Sequence, residues 1–320
     1  MDVSIILVNY NTKGLTKNCL KSIYEKTEGI KYEIIISDNG STDGSCEMIK
    51  NDFPNVILIE NNANLGFGAA NNKGLEIAKG KYILYLNTDT ILINNAIKIL
   101  FDYFEEYGEK DNLGAIGGAL YSQDMRYIGY GGSFSSLNHK LKVSIIDFLS
   151  IYKNSIFKKN KTKQNKTKQN KTKQNKTEQI KTENTISAYK GKTDFIAGSD
   201  LFVKNDSFAK FDEDFFMYCE EINLQMQMQK VGKICYALDT PKIIHLEGGS
   251  SDSALHKAQP ALQFYSSFSK LNQMVSTIIL VKKNYKAPVR LFLLRLFTFL
   301  SMINPKIYPK AKPYIKKIWK

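Results

Sequence analysis

Cysteine is scarce in this sequence, which has only four in 320 residues. Cys19, Cys46, Cys219 and Cys235 are widely spaced, and no two of them form a Cys-x-x-Cys pair. A disulfide-stabilised scaffold is therefore excluded, because such scaffolds need a much higher density of cysteine. We expect reduced thiols in or near the core.

Long uninterrupted apolar runs are also missing. The most apolar stretch, residues 289–303, contains Arg290 and Arg295, which argues against a helix that spans a bilayer. Lysines and aromatic residues follow it, so the segment is typical of an amphipathic helix lying on an anionic membrane surface. The alternative is a helix that packs on the core and keeps its lysines in solvent.

The first eight residues lack the basic leader and the small-residue cleavage site of a signal peptide. They are instead typical of a first β-strand. We therefore predict a cytoplasmic protein, held peripherally on the inner face of the cell membrane by its basic C-terminal segment.

Acidic residues are rare in two segments of the chain. Residues 151–192 contain 13 Lys and two Glu, and residues 281–320 contain 11 Lys and Arg and no acid. Each segment thus has a surplus of 11 positive charges, which leaves −8 for the rest of a chain whose net charge is +14. An acidic body argues against a nucleic-acid groove in the folded core, so we predict no nucleic-acid partner.

A repeat with no apolar residues lies in the first basic segment. Residues 161–175 are three copies of Lys-Thr-Lys-Gln-Asn, and decayed copies follow. Such a segment cannot offset the entropy of ordering by burial. We predict a disordered insertion at residues 157–190.

Apolar runs and helical spacings alternate along the first 90 residues. Strands are expected at residues 3–8, 32–37, 56–60 and 82–86, and helices at 15–24, around 48–49, and at 69–78. This alternation predicts an α/β fold with a mostly parallel, doubly wound sheet. Nucleotide chemistry then belongs at the carboxyl ends of its strands.

Polar residues follow two of these strands. Val8 and Tyr10 lie at the end of the first strand, where an aromatic and small polar groups can hold a base and ribose. Asp38 emerges from the second strand before a glycine-rich turn, and its carboxylate can accept the ring N–H of uracil or thymine. Ser41 and Asp43, just beyond, are more typical of helix caps.

Four segments together carry a family resemblance. They are VSIILVNYN at 3–11, SDNGSTDGS at 37–45, NLGFGAANN at 64–72 and LNTDT at 86–90. The chain resembles the family-2 glycosyltransferases of the GT-A fold, and within them the rhamnosyltransferase-like branch. The resemblance implies a GT-A domain over residues 1–251, interrupted by the insertion, and a basic helical region over 252–320. It also implies that Asn64, Gly66 and Asn87 join the nucleotide-sugar site.

A metal site is implied at the end of the fourth strand. Asp89 is expected to project into the crevice beside the donor diphosphate, where Mg²⁺ or Mn²⁺ bridges it to the phosphates. The family often has Asp-x-Asp here, and Asn87 replaces the first Asp. His245, in the segment HLEGGSS, matches a family histidine that can complete the metal or diphosphate site. A structural histidine is the alternative reading of that residue.

The catalytic base is expected near residue 220. Glu221 falls where the family has its catalytic Asp, and Glu220 is adjacent to it. An inverting transfer needs such a carboxylate to take the proton of the attacking hydroxyl. Neighbouring residues on a helix point about 100° apart, so only one of them can face the sugar, and Glu221 is preferred.

The sequence thus predicts an inverting, metal-dependent glycosyltransferase. Its expected donor is a UDP- or dTDP-sugar, and the resemblance favours transfer of rhamnose. Its expected acceptor is a glycan or a lipid-linked glycan of surface polysaccharide synthesis. The main rival is a catalytically silent scaffold that binds nucleotide or glycan without turnover.

Overall fold

The structure is a computed structural model that describes residues 1–161, 189–246, 268–305, 307–308 and 310–319, with only the backbone described for 152–161. Most of the predicted insertion at 157–190 lies outside the described residues. The same holds for residues 247–267, at the predicted junction of the GT-A domain and the basic helical region. These predictions are therefore not tested.

The first part of the chain alternates strands and helices as the apolar runs predict. Its elements are β1 (Val3–Asn9), α1 (Lys13–Lys26), β2 (Tyr32–Asp38), α2 (Ser45–Asp52), β3 (Ile57–Glu60), α3 (Phe67–Leu75) and β4 (Tyr82–Leu86). Helix α3 ends earlier than predicted. The N–H groups of Ile77 and Ala78 donate to carbonyls three residues back, so the chain tightens into turns there.

The second part of the chain is less regular. Its strands are β5 (Thr90–Leu92), β6 (Leu113–Tyr121), β7 (Tyr127–Gly129), β8 (Gly131–Gly132), β9 (Gly191–Thr193), β10 (Phe195–Ile196), β11 (Asp200–Lys204) and β12 (Ile234–His245). Its helices are α4 (Ala96–Tyr107), α5 (Leu137–Lys161), α6 (Glu220–Lys230), α7 (Phe268–Asn284), α8 (Pro288–Met302) and α9 (Lys312–Ile318).

The strands form one main sheet in the order β3-β2-β1-β4-β11-β6-β12-β5. The first four are parallel, β11 runs antiparallel to both of its neighbours, and β6 and β12 are parallel again. The prediction of a mostly parallel, GT-A-like α/β sheet is confirmed. Strands β1 and β4 are buried along almost their whole length, which explains their continuous apolar sequences.

Apolar cores cover both faces of this sheet. One core includes Leu20 of α1 and Leu100 of α4, and the other includes Leu224 and Met228 of α6. All four cysteines are buried and unpaired, as predicted. The carboxyl ends of β1, β2 and β4 therefore open between two packed helical layers.

The C-terminal helices build a third core. It joins α5, α7, α8 and α9 through buried residues such as Leu271, Ile278, Leu294 and Met302. The opposite face of α8 is exposed, with Val289 71% and Phe292 54% accessible. Within the described residues, none of the helices has the length and apolar character needed to cross a membrane.

Candidate active site

Asp38 is fixed at the end of β2 by hydrogen bonds from the neighbouring strand and turn. Asn9, its register partner at the end of β1, donates its Nδ2 to Asp38 Oδ2 at 2.5 Å. The N–H groups of Gly40 and Ser41 donate to Asp38 Oδ1 at 3.0 and 2.8 Å. The Cys46 thiol of α2 also interacts with this carboxylate, which is 1% exposed, so Asp38 is held from several sides at the end of β2.

Two other predicted donor-side residues lie beside it on β1 and the following loop. Val8 is half-buried, and Tyr10 leaves the strand with 45% of its surface exposed. Asn11 continues the chain in the left-handed region, at φ 53°, and donates its N–H to Ser41 Oγ at 2.9 Å. The Tyr10 ring is thus accessible at the end of β1, next to Asn9, which binds Asp38.

A network of amides connects the end of β2 to the loop before α3. Asn39 Nδ2 donates to Gly66 O at 3.0 Å and to Asn64 Oδ1 at 3.4 Å, and Asn39 Oδ1 accepts from Asn61 Nδ2 at 3.1 Å. Gly66 has φ 88°, and a Cβ placed there would lie 2.1 Å from the carbonyl oxygen of Phe216. Only glycine fits this contact, which holds the loop against the segment that precedes α6.

The predicted metal ligands meet where β4 ends. Asn87 donates its N–H to Ser199 O at 3.0 Å, which fixes the turn that carries Asp89. The Asp89 carboxylate is buried, and its Oδ1 lies 3.3 Å from Nε2 of His245 at the end of β12. Leu246 N–H donates to Asp89 O at 2.9 Å. The structure therefore brings together two residues that are far apart in sequence.

The Asp89 and His245 pair has a donor set that suits a divalent cation. Two ligands that each lie about 2.1 Å from a metal and at right angles are about 3 Å apart, close to the 3.3 Å separation found here. Among the described residues there is no group of three or more His, Cys, Asp or Glu that could hold a metal ion. The pair can supply two protein ligands, and the remaining positions suit phosphate oxygens or water.

Asp200 is a buried carboxyl near this pair that sequence reasoning missed. Its Oδ2 accepts the N–H of Gly118 at 2.7 Å, and its Oδ1 has no hydrogen bond within the described chain. Burial raises the pKa of Asp200 to about 7, although the Gly118 N–H and the His245 side chain oppose the shift. Asp200 is the first residue of β11, whose apolar sequence predicts a buried strand. That pattern does not indicate a carboxyl group with a raised pKa.

The two candidate bases begin α6 after a strained turn. Tyr218 and Cys219 have φ values of 70° and 68°, which is unusual for two consecutive residues other than glycine. Glu220 is buried next to Gly68 of α3, whereas Glu221 is partly exposed beside Gly198. The side chains of Glu220 and Glu221 therefore lie in different surroundings.

The two carboxyl groups also differ in their electrostatic surroundings. Burial raises the pKa of Glu220 well above its usual range, and the charge of Glu221 raises it further. Burial also raises the pKa of Glu221, while N–H groups at the start of α6 oppose the shift. Glu221 therefore loses its proton more readily than Glu220, and such a difference is how neighbouring carboxyl groups take separate roles.

The segment before α6 is anchored by residues that sequence reasoning also missed. Lys283 of α7 binds Asp212 at 2.7 Å and Asp214 at 2.5 Å. Asn72 of α3 makes two hydrogen bonds of 2.9 Å with the backbone of Phe211. These contacts join elements that are far apart in sequence, so no local motif could have indicated them.

The remaining histidines lie elsewhere. His139 is exposed in the first turn of α5, and His256 lies outside the described residues. The nucleotide-side residues Val8, Tyr10, Asp38, Asn64 and Gly66 thus gather at the ends of β1 and β2 and the loop before α3.

Comparison with known proteins gives a consistent result. A family model described as Glycosyl transferase family 2 matches residues 4–188. A poly(ribitol-phosphate) beta-glucosyltransferase of Bacillus spizizenii is 34% identical over 37% of the chain and 19% of the relative. The UDP-Glc:alpha-D-GlcNAc-diphosphoundecaprenol beta-1,3-glucosyltransferase WfaP of Escherichia coli is 38% identical over 34% of the chain and 47% of the relative. The chain thus aligns with less than half the length of each of these relatives.

Among solved structures, the chain is similar to S. aureus TarS. The TM-score is 0.51 at 12% sequence identity, and the match covers 95% of this chain and 44% of that one. At this identity the likeness concerns the fold, which agrees with the sheet and helices described above.

Proposed function

We propose that this chain, which belongs to glycosyl transferase family 2, transfers a sugar from a UDP- or dTDP-sugar to a glycan or lipid-linked acceptor. The observation that carries the proposal is the convergence of a fixed carboxylate, Asp38, and the Asp89 and His245 pair at one edge of the sheet. Strand ends of this kind are where nucleotides bind in open α/β sheets. Relatives named as a poly(ribitol-phosphate) glucosyltransferase and a minor teichoic acid biosynthesis protein support a role in surface polysaccharide assembly.

The donor base binds at the ends of β1 and β2 in this proposal. The Asp38 carboxylate takes the ring N–H of uracil or thymine, and the exposed Tyr10 ring lies against the base or ribose. Asn64, Gly66 and Asn87 line the path toward the diphosphate. A relative whose name specifies UDP-glucose supports the uridine form of the donor. The sugar, including the rhamnose that the sequence suggests, stays a prediction.

Asp89 and His245 hold Mg²⁺ or Mn²⁺ in this proposal. When bound, the cation would neutralise charge on the departing nucleoside diphosphate. The chain's own part is to present one carboxylate oxygen and one imidazole nitrogen 3.3 Å apart. With so few protein ligands, metal affinity depends largely on bound nucleotide.

Glu221 is the proposed base. It is the partly exposed member of the carboxyl pair, and its raised pKa makes it a stronger base than an ordinary glutamate. Its charge adds to the effect of burial in raising the pKa of Glu220, so Glu220 holds its proton more tightly than Glu221 does. Glu221 takes the proton of the acceptor hydroxyl as its oxygen attacks the anomeric carbon from the face opposite the nucleoside diphosphate. The bond from that carbon to the diphosphate breaks as the new bond forms, so the configuration inverts.

The C-terminal helices supply the proposed membrane contact. Val289, Phe292 and Trp319 are exposed near basic residues such as Lys316 and Lys317. This combination suits peripheral attachment to the anionic inner face of the membrane. The protein should bind phosphatidylglycerol vesicles and dissociate from them as the salt concentration rises. It should not bind neutral vesicles. Equal binding to neutral vesicles would exclude this mode of attachment.

The catalytic proposal is tested by donor hydrolysis. Purified protein is incubated with a panel of UDP- and dTDP-sugars, with Mn²⁺ or with EDTA, and release of nucleoside diphosphate is measured. We expect one of these donors to release nucleoside diphosphate, and only when the metal is present. In Asp89→Ala the rate of this release should fall by at least about 100-fold. Nucleotide binding without turnover of any donor, even with lipid-linked acceptors present, would instead identify a silent scaffold.

A further inference from the structure

A buried chain of hydrogen bonds connects the two parts of the proposed donor site. It joins the turn that carries Asp89, at the end of β4, to the carboxylate at the end of β2. Its members are at most 5% exposed, so water does not compete for their hydrogen bonds, and they are Thr88, Thr12, Asn9 and Asp38. The two parts of the site are therefore connected inside the protein.

The side-chain amide of Asn9 uses all of its hydrogen-bonding capacity. Only its nitrogen can donate to the Asp38 carboxylate, so that bond fixes the orientation of the amide. The same nitrogen donates to Ser41 Oγ at 3.0 Å. The amide oxygen accepts the hydroxyl protons of Thr12 and Thr16, each at 2.7 Å. Two donated and two accepted bonds thus hold Asn9 in one orientation.

The direction of the remaining bond follows from counting protons. Thr12 has a single hydroxyl proton, which it gives to Asn9, and Thr16 gives its own proton to the same acceptor. The hydroxyl oxygens of Thr12 and Thr88 are 3.2 Å apart, so Thr88 is the donor in that bond. Three bonds therefore run in one direction, from the turn after β4 to Asp38. Hydrogen bonds aligned in this way polarise and strengthen one another.

Thr12 does not use its hydroxyl for the role that its position in the chain suggests. It is the N-cap residue of α1, and its carbonyl accepts the N–H of Thr16 at 2.9 Å. A threonine there usually accepts a backbone N–H of the first turn, yet within the described chain its side chain makes no such bond. Helix capping therefore does not account for this hydroxyl, which lies between Asn9 and Thr88.

Thr88 lies in the middle of the turn that presents the proposed metal ligand Asp89. The backbone of its two neighbours in this turn is bound by segments next to β11 and β12. The hydroxyl of Thr88 binds Thr12 on the other side of β4, next to β1. Loss of the Thr12 contact would therefore loosen the turn on the side that faces the nucleotide base.

We propose that Thr12 is a positioning residue that links binding of the donor's pyrimidine at Asp38 to binding of the cation at Asp89. The proposal rests on the proposed function and adds a coupling between two parts of the same site. A ring N–H bound to Asp38 fixes Asn9 and, through Thr12 and Thr88, the turn. The Asp89 carboxylate is then already in place for the cation, and the cation strengthens nucleotide binding by the same factor.

The test measures the dissociation constant of UDP for the full chain by calorimetry, in Mn²⁺ and in EDTA. The ratio of the two constants is the factor by which the cation strengthens nucleotide binding, and in wild type we expect about tenfold or more. Thr12→Val removes both bonds of the hydroxyl and keeps the shape of the side chain, so this factor should fall by about threefold to tenfold. Thr12→Ser keeps the hydroxyl and should preserve the factor.

Thr16→Val is the matched control. Thr16 is also buried and also donates to Asn9 at 2.7 Å, but within the described residues it has no hydrogen bond to Thr88. Its loss should weaken UDP binding in EDTA about as much as Thr12→Val does and leave the effect of the cation unchanged. Thr88→Val removes the same bond as Thr12→Val from the other end and should lower the factor in the same way, so it serves if Thr12→Val does not fold.

The proposal is overturned if the cation has no effect on UDP binding in wild type, or if Thr12→Val keeps the wild-type factor. An equal fall in Thr16→Val would also overturn it, because that result would indicate general loosening around Asn9. Donor hydrolysis by wild type is measured in parallel. Hydrolysis with a factor that does not depend on Thr12 defeats this proposal alone. A wild type that neither binds UDP nor turns over any donor defeats the proposed function, and this proposal with it.

Discussion

The proposed donor side and the proposed acceptor side of the site are held in different ways. On the donor side, Asn9 and Asp38 are register partners on adjacent parallel strands, and their bond is part of the sheet edge itself. On the proposed acceptor side, Glu221 follows a strained turn, and Ser276 of α7 binds Met217 O just before that turn. Lys283 of α7 pairs with Asp212 earlier in the same segment. The proposed acceptor side is thus tied to the C-terminal helices, and the proposed nucleotide side is tied to the sheet.

Replacing the proposed base should give the largest difference between the two sides: a large loss of transfer rate with little change in nucleotide affinity. Glu221→Gln keeps the size of the side chain and removes its charge, so transfer should fall by roughly 10²–10⁴-fold, which is the usual contribution of a general base. Nucleotide binding should change little, because the donor side is held by the sheet. The measurement is the transfer rate, together with nucleotide affinity.

Glu220→Gln is the matched control for this prediction. Glu220 is buried and its pKa is raised well above its usual range, so a neutral amide should preserve most of the activity. If Glu220→Gln abolished transfer and Glu221→Gln did not, the assignment of the two carboxyl groups would be reversed.

The donor side could be predicted from the sequence because its information is local. Buried parallel strands produce continuous apolar runs, and the polar residues that follow them, such as Asp38 and Asp89, must lie at one edge of the sheet. His245 also follows an apolar run, that of β12, but its match to a family histidine was what singled it out. The family membership that these motifs suggested is confirmed.

The acceptor side could be predicted only in part. The motif gave the position of Glu220 and Glu221, but the difference in their burial depends on packing against α3 and the turn at Gly198. Lys283 and Asn72 contact the segment before α6 from 71 and 139 residues away in the chain. A helical period shows that a helix has an apolar face, and it does not say which element covers that face.

A second prediction concerns the contact between the two sides at Gly66. Gly66→Ala adds a Cβ 2.1 Å from the Phe216 carbonyl oxygen at a positive φ, so the loop before α3 or the segment before α6 must move. We expect a loss of about 2–4 kcal/mol in the free energy of unfolding, measured by urea denaturation.

Gly14→Ala is its control. A Cβ on Gly14 meets nothing within 4 Å, and the residue lies in the first turn of α1. That substitution should be neutral or stabilise by up to about 1 kcal/mol. Equal stability of the two variants would show that the two sides do not meet tightly at Gly66.

A third prediction addresses the attachment of the acceptor side to α7. Lys283→Met removes both contacts to Asp212 and Asp214, so we expect a loss of about 1 kcal/mol in unfolding free energy and a raised KM for the acceptor. Lys98→Met breaks an exposed pair within α4, with Asp102, and should cost at most about 0.5 kcal/mol. A raised KM for the donor instead of the acceptor would contradict the division into two sides.

The smallest effect is expected from the pH dependence of stability at Glu220. Because its pKa is raised in the folded state, the folded protein keeps a proton that the unfolded chain releases above about pH 4.3. This group therefore stabilises the fold less and less as the pH rises from there toward its folded pKa. Glu220→Gln cannot lose that proton, so its melting temperature relative to wild type should rise with pH, by roughly 1–3 °C between pH 5 and pH 8.

Glu221 sets part of this pH dependence. Its negative charge raises the pKa of Glu220, so the same comparison made in a Glu221→Gln background should give a smaller change between pH 5 and pH 8. Burial, the larger cause, remains in that background and should keep some of the effect. An unchanged pH dependence would mean that the two carboxyl groups do not interact, and the neutral state of Glu220 would then depend on burial alone.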